Sequence, residues 1–129
     1  MLSLQYKGVK MPLIQVDLDR ALYNEKHVQI SAELHQAQID ALAIPADDLF
    51  QVFCPHDSGE LKFDPTYGGV DRQSLMVIHI TMVHKYSVAS KKSLYKHILD
   101  RLSAIGIRPE DIQIAVVENG FEDWYAGKL

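Results

Sequence analysis

The chain reads as an α+β domain in which two βαβ repeats form a four-stranded sheet with two helices on one face. Three observations predict this. The run Leu75-Met76-Val77-Ile78-His79-Ile80-Thr81-Met82-Val83 is nearly continuous apolar sequence of strand length, as expected of a central strand covered on both faces. Two stretches carry apolar residues at helical spacing instead: Ile30, Leu34, Ala37 and Ala41, then Leu94, Ile98, Leu102 and Ile105. The order strand, helix, proline with acidic residues, strand then occurs twice, with Ile44-Pro45-Ala46-Asp47 in the first half and Arg108-Pro109-Glu110-Asp111 in the second.

In chain order, Leu2, Leu4 and Tyr6 alternate with polar residues, which suits a short edge strand before Gly8. Residues 1–11 are expected to be an amino-terminal extension, and residues 12–129 a single domain. Residues 13–18 read as a buried strand, with Pro12 at its first position because proline has no amide hydrogen to donate. Asn24 is placed to cap the first helix, whose first turn then begins at Glu25, and Pro45 stops that helix. Residues 48–54 follow as a second strand ended by Pro55, and residues 56–74, rich in Gly, Pro, Asp and Ser, read as a long loop. Ser90 is expected to cap the second helix and Gly106 to close it; Ile112, Ile114 and Val116 mark the last strand. Helices on one face leave the other side of an apolar sheet uncovered, so the sequence predicts an oligomer.

A chain of 129 residues is large enough for one hydrophobic core, and its net charge of -4 gives no electrostatic basis for nucleic-acid binding. Cys54 is the single cysteine, excludes an internal disulfide and fits a reducing compartment; its surroundings read as a buried strand. No apolar run reaches the ~20 residues of a membrane span, and the first residues lack the pattern of a signal peptide, so a cytoplasmic protein is expected. His27, His35 and His97 fall on predicted helices and His79 on a strand, without a metal-ligand spacing, and no cofactor is implied. Gly68-Gly69 reads as a turn, and Lys91-Lys92 as a solvated helix start.

Met11-Pro12 at the head of the first strand, the two-fold repeat, His35, Pro45-Ala46-Asp47-Asp48 followed by Gln51, and Glu118-Asn119-Gly120-Phe121-Glu122-Asp123-Trp124 together resemble the tautomerase superfamily. Within it the sequence is most similar to the malonate semialdehyde decarboxylase-like branch. The resemblance covers nearly the whole chain from residue 11. It implies the fold of macrophage migration inhibitory factor and its relatives, a homotrimer, and an amino-terminal proline acting as catalytic base or acid, the position that Pro12 matches. It further implies a catalytic aspartate at Asp48. The same pattern puts two arginines, as Arg-Pro-Arg, where this chain has His84-Lys85-Tyr86, and an aromatic residue where it has Ala126. Without the arginines, decarboxylation of malonate semialdehyde loses the cations that would hold and polarise its carboxylate.

The chemistry open to these residues depends on the nitrogen of Pro12. As a free secondary amine in an apolar pocket it would lose its proton more readily, and Lys85 or a protonated His84 would lower its pKa further. It could then move a proton next to a carbonyl in a keto–enol shift. Bonded to Met11 it is an amide and cannot. Asp48 is the expected partner group, able to activate a water or orient substrate, although aspartates at a helix-to-strand turn also serve to bond backbone amides. His84, Lys85 and Tyr86 are candidates for binding a carboxylate or an oxyanion, and Trp124 for a pocket wall. The leading expectation is a tautomerase-like isomerase for a small keto or enol acid. The alternative is a non-catalytic trimeric homologue whose Pro12 is blocked by the residues before it.

Overall fold

The computed structural model describes residues 12–128, so the expectation of an edge strand around Leu2, Leu4 and Tyr6 lies outside the described residues. The main elements are β1 (Leu13–Asp19), α1 (Arg20–Leu42), β2 (Gln51–His56), β3 (Met76–Val83), α2 (Val88–Ala104) and β4 (Ile112–Asn119). The sheet order is β2-β1-β3-β4. β1 runs parallel to β2, β3 runs parallel to β4, and the two halves meet at the antiparallel pair β1–β3. Parallel neighbours require a crossover, which α1 and α2 supply. The fold is the predicted pair of βαβ units.

Strand alternation decides which side faces the helices. Ile14, Val16 and Leu18 of β1 and Met76, Ile78, Ile80 and Met82 of β3 are fully buried, and they share one core with Ile30, Leu34 and Ala37 of α1 and Leu94, Ile98 and Leu102 of α2. Each Val, Leu, Ile or Met among them contributes roughly 1.5–3 kcal/mol on burial. Arg101 of α2 ties the helices together from outside, donating to Glu33 at 3.0 Å and Asp40 at 2.8 Å. Gly106 closes α2 with φ +88°; its N–H donates to the Ser103 carbonyl, and the Ile107 N–H to that of Leu102. That left-handed position is one glycine adopts without steric cost.

Five expectations about boundaries and burial need correction. α1 starts at Arg20 rather than Glu25, because Asp19 is its N-cap and accepts from the Ala21 N–H at 3.0 Å, so strand passes into helix without a loop. α2 is capped by Ser87, whose hydroxyl accepts from the Ser90 N–H, and not by Ser90 itself. β2 begins at Gln51, not Asp48, and runs through Pro55 to His56; it is an edge strand, where a missing donor is tolerated. β3 is central as predicted, but within one chain only its helix side is covered. On its other side Val77 and Thr81 are half-buried and His79 is exposed. Cys54, on that same open side, is half-buried rather than buried.

The open face also carries a polar cluster. Asp17 accepts from His56 Nε2 at 2.6 Å and lies 3.3 Å from His79 Nε2, with Gln15 donating to its other oxygen at 3.2 Å. Val52 and Val117 flank it, 49% and 61% exposed.

Candidate active site

Strand direction brings the predicted site residues to one end of the sheet. Leu13 pairs with Thr81 and Ile14 with Gln51, so Pro12 enters β1 beside the end of β3 and the start of β2. The Ile14 N–H donates to the Phe50 carbonyl at 3.1 Å, which places the segment carrying Asp48 next to Pro12. Val83 pairs with Asn119, and the His84 N–H donates to the Asn119 carbonyl at 2.7 Å, so His84, Lys85 and Tyr86 leave β3 where β4 also ends. Pro12 itself is buried.

Asp48 sits half-buried at the end of a tight turn, its N–H donating to the Pro45 carbonyl at 3.0 Å. Burial pushes its carboxyl above the ordinary range, the neighbouring Asp47 adds to this, and His35 opposes it. Tyr86 is half-buried against the core. Burial, then the charge of Asp48, push its hydroxyl above the usual tyrosine range, so it remains a proton-bearing donor. Asp48, Tyr86 and His35 therefore share one electrostatic neighbourhood, in which a carboxyl inclined to stay neutral lies near a phenol.

The cations behave differently from one another. Lys85 Nζ lies 5.2 Å from the centre of the Tyr86 ring and makes no ion pair among the described residues. His84 is 80% exposed on its side chain and lies 3.2 Å from Glu118 Oε2. Glu118 also receives Lys91 Nζ at 2.8 Å; this hydrogen bond, against burial and together with His84, holds its carboxyl below the usual range. Lys91 is thus not a solvated helix-start residue as expected; its side chain is 21% exposed and committed to the end of β4. Trp124 is half-buried, its indole donating to Asn119 Oδ1 at 2.8 Å, and a 3-10 turn at Phe121–Asp123 closed by Asp123 on the Gly120 N–H at 2.8 Å carries the chain to it.

Residue types alone did not reveal the Glu118–Lys91 pair. The two lie far apart in sequence, and only the parallel pairing of β3 with β4 brings the end of β4 back to the first turn of α2. The contact made by His35 is not legible from residue types for a related reason. Its Nε2 lies 2.7 Å from the Ala46 carbonyl, a contact made across the helix-to-strand turn.

The long loop builds a separate cleft of about 250 Å³, lined by Phe63, Tyr67, Arg72, Leu75, Val77 and Gln113 among others. Val77 pairs with Asp17 near the far end of β1, so this cleft is remote from Pro12. Among the described residues, no group of three or more His, Cys, Asp or Glu side chains is arranged to hold a metal ion, and no helix is long and apolar enough to cross a membrane.

Two βαβ units joined through the antiparallel β1–β3 pair, with both crossover helices on one face, have the architecture of a tautomerase-type protein. The chain belongs to the tautomerase family: residues 48–127 match the family described as tautomerase enzyme. It is 37% identical over 120 residues to the probable tautomerase YusQ of Bacillus subtilis (strain 168), an alignment covering 91% of this chain and 94% of that one. Among solved structures it is similar to FG41 malonate semialdehyde decarboxylase inhibited by 3-bromopropiolate, at TM-score 0.83 and 31% identity, covering 89% of this chain and 88% of that one. The fold is also that of a fused 4-OT asymmetric trimer, at TM-score 0.75 and 19% identity, covering 91% and 94%.

Proposed function

We propose that this tautomerase-family protein is an isomerase for a small keto or enol acid, with Pro12 as its general base in a form of the chain that begins at Pro12. The observation that carries the reading is the gathering of Pro12, Asp48, His84, Lys85, Tyr86 and Trp124 at one end of the sheet. In this reading the buried, neutral amine of Pro12 takes a proton from the substrate and returns it to the adjacent carbon. Lys85 and His84 attract the substrate carboxylate, and Tyr86 donates to the oxygen on which negative charge develops. Asp48 supplies or accepts the proton at the far side, and Trp124 forms the wall. The substitution of His84-Lys85-Tyr86 for two arginines favours isomerisation over decarboxylation, since a single lysine and a partly engaged histidine grip a carboxylate less firmly than two planar guanidinium groups. The open sheet face, with Val52 and Val117 exposed on it, supports assembly with further copies of the chain, as a homotrimer in this reading.

The test has two arms. Intact mass of the protein from its natural source locates the amino terminus. Ketonisation of phenylenolpyruvate is then measured for the form beginning at Pro12 and for its Pro12→Ala variant. A loss of about 10²-fold or more on substitution is expected of a lost general base; unchanged turnover would rule Pro12 out.

A second reading rests on one observation, that in the sequence Pro12 follows Met11 and so carries an amide nitrogen. A chain that retains residues 1–11 has no base at this position, and it would be a non-catalytic trimeric binding protein. A mass including residues 1–11, with no enol turnover, selects this reading.

A further inference from the structure

The loop between β2 and β3 has no part in the candidate active site, yet its hydrogen bonds pin it in place. Asp64 Oδ1 accepts from the Thr66 N–H and the Thr66 hydroxyl, both at 2.9 Å, and the Arg72 N–H donates to the Pro65 carbonyl at 2.8 Å. The end of the loop is tied to the start of β4. There the buried Asp111 accepts from the Gln73 N–H at 2.7 Å, the Ser74 N–H at 3.2 Å and Arg108 Nη1 at 3.3 Å. A loop held at its middle and at its end preforms the cleft beneath it.

That cleft has a volume of about 250 Å³ and apolar walls from Phe63, Tyr67, Leu75 and Val77. An apolar cavity of about 150 Å³ takes benzene, so there is room here for one ring and a short acid arm. One cation stands in this setting. Arg72 is half-buried and lines the cleft, its guanidinium carbon 5.7 Å from the centre of the Tyr67 ring. Its Nη1 donates to the Tyr67 carbonyl and its Nη2 to Gln113 Oε1 at 3.4 Å, the long limit for such a bond, while Nε is buried without a hydrogen-bond partner.

A guanidinium keeps its charge at any physiological pH, and among the described residues Arg72 makes no ion pair. Its two partners are neutral. A carboxylate would supply what they lack, a negative charge and a pair of acceptor oxygens matched to the planar fork. Asp64 lines the same cleft but is committed to Thr66, whose N–H and then hydroxyl hold its carboxyl below the usual range, with a smaller contribution from the charge of Arg72. Its own charge disfavours a ligand with a second anionic group.

We propose that this cleft is a second binding site, for a small monocarboxylate with one aromatic ring. The ring lies among Phe63, Tyr67, Leu75 and Val77, and the carboxylate takes the place of the Gln113 amide on Arg72. Val77 and Gln113 pair near the start of β3, whereas Val83 and Asn119 pair at its end beside His84, so the two sites lie at opposite ends of the strand. The inference does not depend on the chemistry of Pro12.

The probe is phenylacetate, compared with phenethyl alcohol, which has the same ring and a chain of similar length but no charge. Binding to the whole protein in its assembled state is followed by proton–nitrogen NMR through the amide signals of Arg72, Gln73 and Gln113. Signals around Tyr86 report separately on the candidate active site. The expected result is a saturable shift with phenylacetate and an affinity for the alcohol weaker by about tenfold or more, as the loss of a charge-assisted pair implies. Arg72→Gln is expected to weaken phenylacetate binding by about tenfold or more as well, but it also removes the bond to the Tyr67 carbonyl. Gln113→Glu leaves the loop intact and sets a competing carboxylate beside Arg72; a loss of about tenfold or more is expected there too. No saturable shift in wild type, including one caused by a neighbouring copy closing the cleft, would overturn the proposal. Equal affinity for the acid and the alcohol, or unchanged binding in Gln113→Glu, would do the same.

Discussion

Lys91 Nζ stands 2.8 Å from Glu118 Oε1, bridging the first turn of α2 and the end of β4. The contact matters because Glu118 also draws His84, which is 3.2 Å away and is the nearest candidate for a substrate carboxylate. Glu118 is thus a negative charge set beside the proposed anion site and restrained by a lysine. Replacing it by Gln removes the competitor for His84. The expected outcome is a KM for a small enol acid lowered roughly three- to tenfold, as befits a charge near a wet surface, with kcat little altered. Steady-state kinetics decide this, and an unchanged KM would place the His84–Glu118 pair outside the substrate's field.

Tyr86 follows the end of β3 beside Lys85 and offers a hydroxyl rather than a charge. Its hydroxyl is held in the protonated form by burial and by Asp48, which suits a donor to a developing oxyanion. Tyr86→Phe keeps the half-buried ring and the contact with Lys85 while deleting the donor. A fall in kcat of roughly 10- to 100-fold, with KM changed little, is expected for the loss of one such donor. Equal activity of the two proteins would show that the ring alone is used.

Much of this arrangement was legible in the sequence, because strand and helix periodicities separate cleanly here. The apolar run ending at Val83 gave the central strand, and Pro45 and Pro109 marked equivalent turns in the two halves. The topology then placed Pro12, Asp48, His84 and Trp124 at one end without further information. The parts that were not legible are side-chain contacts across the fold. Asn24 and Ser90 have the chemistry of caps, but Asp19 and Ser87 hold the positions where the chain enters each helix, and only backbone geometry distinguishes them. The restraint of Glu118 by Lys91 and of Ala46 by His35 depends on how the helices lie on the sheet, which periodicity does not specify.

Asp17 makes the stability of the fold depend on acid in a defined sense. Burial raises its pKa, but hydrogen bonds from His56 and Gln15 and the charges of His56 and His79 outweigh this and hold the carboxyl below its ordinary value of 3.8. A group with a depressed folded-state pKa contributes fully above the unfolded value and loses that contribution as pH falls through the folded one. At neutral pH, Asp17→Asn is expected to lower the melting temperature by roughly 2–5 °C, the equivalent of about 1 kcal/mol. The difference from wild type should shrink as pH drops below 3.8. Calorimetry across pH 2.5–7 tests this; a gap that stays constant down to the lowest pH (a range of about 2.5 to 7 spans both states) would mean that the charge of Asp17 is not what the mutation removes.

Val117 lies on the sheet face that the helices leave open, 61% exposed, with Ala115 and Val52 also exposed on that face. A face of this kind, apolar at its flanks and threaded by the Asp17 cluster, is a poor surface to leave in water, and burial against further copies of the chain removes it. If that face is the trimer contact, an aspartate at position 117 brings an unpaired charge into each interface, a change that costs several kcal/mol when desolvated. Val117→Asp is therefore expected to run as a monomer in light scattering at micromolar concentration, while keeping its far-ultraviolet circular dichroism because residue 117 lies outside the core. Val117→Ala, which only trims the contact, should remain oligomeric. A Val117→Asp protein with the mass of the wild-type assembly would show that the open sheet face is not where the copies meet.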